Sequence, residues 1–175
     1  MVRTVPLAIA AGLLLSAPTF GQGTAPVSEG FDDVSSLAAA GWSRVNRTPN
    51  PDPTGAWRQG SSLGRGTEVF APQAGAAGSY ILSDYVATTN GVGGGAVTVS
   101  DWLLLPTRTV SNGATLSFWT RTSAGGLFPE RLAVRLSTAG ASANVGTGPD
   151  DVGDFTTTLL TVNPLLETGT AYPND

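Results

Sequence analysis

The 175-residue chain carries nine basic and thirteen acidic residues, no histidine and no cysteine, for a formal net charge of −4. Those absences exclude thiol chemistry, thiolate and imidazole metal ligands, a Ser-His-Asp arrangement and any disulfide framework. Every basic residue is an arginine and none lies in a run, so the electrostatic footprint of a nucleic-acid binder is missing.

The N-terminus reads "MVRTVPLAIAAGLLLSAPTFGQG". Arg3 precedes an apolar run from Val5 to Leu15, and small residues follow, with Thr19 and Gly21 ahead of a cleavage point. This pattern predicts a secretory signal peptide over 1–21. The run is shorter than the ~20 residues a helix needs to span a bilayer, so it predicts no membrane anchor. A small-residue leader over 22–28 then leads into a single domain over 29–175. The 23 glycines, 12 prolines and sparse charge between strand-like segments fit an all-β domain with many turns.

Leu37 to Ala40 predict one helical turn before Gly41, and "GWSRV" an edge strand. "NRTPNPDPTGAWRQG" predicts a loop, because three prolines in six residues cannot sit in a ladder. Asn46-Arg47-Thr48 matches a glycosylation sequon, to be weighed against a chance match in a loop. "SYILSDYVAT" (79–88) predicts a strand, and "TNGVGGGAVTVSD" after it a flexible connection ending in a short strand. "WLLLPTRTV" predicts a strand buried on both faces, with Pro106 marking an edge or bulge. Ser111-Asn112-Gly113 predicts a turn.

"ATLSFWTRT" alternates, with Leu116, Phe118 and Thr120 on one face and Ser117, Trp119 and Arg121 on the other. "RLAVRLST" places Leu132, Val134 and Leu136 inward. "FTTTLLTV" predicts a last strand. Six to eight strands without a long helix predict two packed antiparallel sheets.

The ordered motifs "EGFDDV…GW", "SYI", "DWLLLP", "NGATLSFWTRT", "ERLAVRLST" and "VGDFTTTLLTVNP…YP" resemble the choice-of-anchor J domain of exported bacterial proteins, over residues 29 to 173. That domain is related to cleaved-adhesin and MAM-like jelly rolls. The resemblance implies an antiparallel jelly-roll β-sandwich on a secreted, often surface-anchored protein, with adhesion or matrix association as the role. It also implies further closing strands beyond Tyr172-Pro173 and a C-terminal anchor, so the expectation is an incomplete sandwich. Related jelly rolls often hold a structural calcium near the first strand. Asp32 occupies the matching position, with Glu29 and Asp33 beside it, against the plainer reading of Asp33 as a helix cap.

Among the four tryptophans, Trp102 reads as core. Trp57 and Trp119, with Arg121, are the candidates for stacking on sugar rings and pairing with acidic glycans. Carboxylates are the only titratable groups suited to catalysis, and Asp150, Asp151 and Asp154 cluster as a glycosidase candidate, against a solvated turn whose carboxylates cap backbone amides. The sequence thus predicts a non-enzymatic exported module that binds extracellular polysaccharide or a surface protein, with no nucleic-acid partner. The alternatives are a carbohydrate-active enzyme using acidic residues alone, or a truncated fragment with no role of its own.

Overall fold

The structure is a computed structural model of the chain. It describes the main chain of residues 3–10 and all of residues 26–60, 70–89, 97–122 and 128–167. The expected cleavage point, the glycines at 91 and 93–95, and the Tyr172-Pro173 segment lie outside these residues.

Strands are β1 (Arg3–Ala10), β2 (Ser43–Asn46), β3 (Arg58–Gln59), β4 (Ile81–Leu82), β5 (Val99–Leu104), β6 (Glu130–Ser137) and β7 (Thr157–Val162). Two short 3-10 turns, Val34–Ala38 and Tyr85–Ala87, are the helical elements among the described residues. The chain is all-β, as composition and turn density imply.

Five strands form one sheet in the order β2-β5-β1-β6-β7, and β3 pairs with β4 separately. β2 with β5 and β6 with β7 are antiparallel. β1 runs parallel to both neighbours, with Arg3 opposite Val99 and Glu130, and Leu7 opposite Leu103 and Val134. The expectation of purely antiparallel sheets is corrected here. The segment read as an export signal forms the middle strand and makes the sheet mixed.

β5 is buried at every position; it joins the end of the glycine-rich connection to the start of the apolar run at Trp102, and the expected continuation of that run past Leu104 lies outside the strand. Its two faces serve different cores, because successive side chains point to opposite sides. Trp102 and Leu104 join Val145 and Phe155 on one side, where the Trp102 and Phe155 rings lie 5.6 Å apart. Leu103 joins Val34, Leu37 and Trp42 on the other. The first 3-10 turn exists to close this second core. Asp33 caps it by accepting from the Ser35 main-chain N at 2.9 Å, and Gly41, at φ +86°, ends it. It thus forms three residues earlier than the sequence reading placed it. β2 is the edge strand expected from "GWSRV".

Two expected strands are corrected. Residues 79–88 keep only the two-residue β4. Asp84 accepts from the Val86 main-chain N at 2.7 Å and caps the second 3-10 turn, which ends the extended backbone. Residues 114–122 take part in no strand pairing. The predicted turn before them is present, with Ala114 N donating to Ser111 O at 3.0 Å and Gly113 at φ +88°. Both edges beside which 114–122 would pair are taken, since β1 lies between β5 and β6.

Candidate functional site

Among the described residues, the most accessible aromatic side chain lies in that unpaired segment. After the 111–113 turn the chain stays outside the sheet, and its alternation sets what solvent sees. Phe118 and Thr120 are half-buried, while Ser117, Trp119 and Arg121 are exposed. Trp119 is 77% exposed, and Val110 at 47% and Leu116 at 39% are further exposed apolar side chains of the same segment.

Arg121 continues it. Its guanidinium carbon sits 4.9 Å from the centre of the Phe70 ring, within cation–π range. Phe70 meets Tyr80 edge-on at 6.1 Å, and the Tyr80 hydroxyl donates to Gly60 O at 3.0 Å. An arginine held over an aromatic keeps its planar fork oriented toward solvent groups. An indole face beside such a fork can stack on an apolar ring face and pair with a carboxylate.

Trp57, the other expected platform, is placed elsewhere. It is half-buried against the second core, and its indole Nε1 donates to Asp101 O at 3.1 Å. Its own carbonyl accepts from Arg44 at 2.8 Å. The structure thus joins Arg121 to Phe70 and ties Trp57 to β5.

The three acids near the start are used locally. Glu29 accepts from Phe31 N at 2.7 Å, Asp32 from the Ser79 hydroxyl at 2.5 Å, and Asp33 from both the main-chain N and the hydroxyl of Ser35. The Ser35 hydroxyl, then its main-chain N, hold the Asp33 carboxyl below its ordinary value. Among the described residues no three carboxylates converge on one point.

The "PDDVGD" acids behave as turn chemistry. Asp151 accepts from Gly153 N and Thr147 N, both at 3.0 Å, and these bonds lower its pKa. Asp154 accepts from Ser142 and Asn144 side chains at 2.6 and 3.2 Å. The sequon is likewise absorbed. Asn46 donates to Ala87 O at 2.6 Å and accepts from Thr48 N at 2.9 Å, while Thr48 is 2% exposed and its hydroxyl accepts from Ser100 N.

Sequence reasoning missed one polar cluster under β5. Asp101 is fully buried and accepts from the Ser83 hydroxyl. Arg58 forms an ion pair with Asp84 at 2.5 Å close by. Burial pushes the Asp101 carboxyl up to about 7, against the pull of the Ser83 hydrogen bond and of the Arg58 charge. A signal was present: a carboxylate inside an otherwise apolar strand buried on both faces needs partners. The cluster lies inside the fold, so it organises β3, β4 and β5 and offers solvent no reactive group.

No protein-family model, curated protein or solved structure matches the chain. No helix among the described residues is long and apolar enough to cross a membrane.

Proposed function

We propose that the chain is an exported, non-enzymatic binding module of jelly-roll β-sandwich type, which attaches to extracellular glycan or a surface protein through the 110–121 strip. One observation carries this reading: Trp119 stands 77% exposed beside an arginine already held over an aromatic ring. Tryptophan is highly buried on average, so an indole left 77% exposed stands out as a group with stacking capacity to spare. The signal-peptide pattern at the N-terminus and the motif order of the choice-of-anchor J domain support the extracellular setting. Asp151 and Asp154 of the candidate acidic cluster are tied into loop and turn hydrogen bonds, which supports a binder over a hydrolase.

The test is retention of the chain on a panel of immobilised neutral and acidic polysaccharides. Trp119→Ala should abolish retention, and Arg121→Gln should weaken it selectively on acidic polysaccharides. Equal retention of all three proteins, or release of reducing sugar by the unmodified chain, sinks the proposal.

A further inference from the structure

The slot between β5 and β6 is a strand-accepting site, and its present occupant suits it poorly. Pro6 lies in β1, the middle of five strands, where a residue without an N–H removes a ladder hydrogen bond. The pairing shows the effect: β1 matches β5 at Arg3, Thr4, Leu7 and Ala8 and skips Val5 and Pro6. β1 is also parallel to both neighbours, a pairing slightly weaker per residue than the antiparallel one.

A second segment of the same chain has the pattern the slot requires and lies at its mouth. Residues 114–122 alternate like a strand yet join no strand ladder, and their apolar members are left partly in solvent. Their last residue already touches the slot, because the Thr122 hydroxyl donates to Glu130 Oε2 at 2.9 Å, at the first residue of β6.

Folding the segment back from that contact fixes an antiparallel register. Thr120 then faces Leu132, Phe118 faces Val134 and Leu116 faces Leu136, so the apolar sets of the two strands share one face. Trp119 takes the other face with Ser117 and Arg121. Arg121 opposite Arg131 is the one unfavourable pair, and it lies at the end of the ladder. Since β5 and β6 both run parallel to β1, a strand antiparallel to β6 is antiparallel to β5 as well. β5, 114–122 and β6 would then follow one another as a meander with short connections. No crossover would be needed.

The geometry points to a strand exchange: β1 and residues 114–122 compete for the slot between β5 and β6, and withdrawal of β1 lets 114–122 enter it. The N-terminal segment acts as a placeholder that keeps the sheet from closing on itself. The exchange concerns the fold and stands whether or not the 110–121 strip binds a glycan; in an exported protein, cleavage of the leader is the event that would trigger it.

The chain's lack of cysteine allows a direct test. Val134 is the partner of Leu7 in the present sheet and of Phe118 in the exchanged one. A triple variant, Leu7→Cys, Phe118→Cys and Val134→Cys, makes one thiol choose. The full chain would carry a specific protease site between Gly23 and Thr24, and disulfides would be mapped by mass spectrometry before and after cleavage. The expected result is a 7–134 bridge in the intact chain and a 118–134 bridge as the major product afterwards. A 118–134 bridge that forms equally in the intact chain, or fails to form after cleavage, overturns the exchange.

Val134 is a core residue, so a second set uses the half-buried Arg131. It pairs with Thr4 now and with Arg121 after exchange, and the same two outcomes apply to Thr4→Cys, Arg121→Cys and Arg131→Cys. Amide hydrogen exchange on the chain without cysteines provides the third reading. Amides of residues 115–121 should gain protection on cleavage, and unchanged fast exchange there rejects the proposal.

Discussion

Arg58 and Asp84 meet at 2.5 Å with side-chain exposures of only 10% and 16%. The same Asp84 caps the turn that ends β4, so one carboxylate stops a strand and neutralises a nearly buried guanidinium. Asp84→Ala removes both functions and leaves a buried charge uncompensated. The expected loss is about 3–5 kcal/mol, read from urea unfolding. Adding Arg58→Met to Asp84→Ala should recover at least half of it, because the charge is then gone. A double variant no more stable than the single one would show that the cap, and not the charge, dominates.

Asp101 makes stability depend on pH in the direction opposite to most carboxylates. Its folded value of about 7 lies above its ordinary 3.8. Between these values the folded state holds a proton the unfolded chain has released, so stability is fullest below pH ~4 as far as this group is concerned. That stability falls as pH rises toward 7 and is flat beyond it. Asp101→Asn removes the titration. Compared with the unmodified chain, it should be relatively more stable at pH 8 than at pH 4, by roughly 2–4 kcal/mol across the window. Parallel unfolding midpoints for the two proteins from pH 4 to 8 would contradict this.

Phe155 is fully buried against Trp102, whereas Leu165 is 79% exposed. Phe155→Ala should cost about 3–5 kcal/mol through lost burial and the cavity left behind. Leu165→Ala should stay within about 0.5 kcal/mol of the unmodified chain. Thermal melts of the two variants, side by side, check the contrast.

Asn46 connects β2 to the second 3-10 turn through Ala87 O and holds Thr48 N in place. Asn46→Ala orphans the Thr48 N–H in partly buried surroundings and takes one of two donors from Ala87 O, which keeps its bond from Asp52 N at 3.0 Å. The expected loss is about 1–3 kcal/mol in urea unfolding. Asn46→Asp keeps the acceptor for Thr48 N and should lose less than Ala only at acidic pH, where the protonated acid can donate to Ala87 O.

How far the sequence could be read depended on how local each feature is. β6 was legible as a strand from its period-two alternation, but its faces were not, since Ala133 is buried and Leu136 only half-buried. β5 was legible in two pieces, a short strand before Asp101 and the apolar run from Trp102, while its stop at Leu104 was not. The extent of β4 was not, since the capping by Asp84 competes with strand propensity and leaves no mark in an apolar pattern. The fate of 114–122 was not legible either. Its alternation is plain, yet pairing is set by which distant segment occupies the neighbouring edge. At the candidate site, the exposure of Trp119 could be read from the polar face it shares with Ser117 and Arg121. The inward turn of Trp57 could not, because its hydrogen bond reaches across 44 residues to Asp101. Phe70 beneath Arg121 gave no local signal at all.

β7 is the last strand of its sheet, and the residues from Thr157 to Val162 include neither charge nor proline. Leu159 and Leu160 are about half exposed along it. Such an edge has no gatekeeper, so its free main-chain groups can recruit any extended apolar segment that comes near. Protein concentration therefore becomes a structural variable: in dense preparations this border is where copies would begin to align into filaments, and a single lysine placed there would be the economical way to keep them apart.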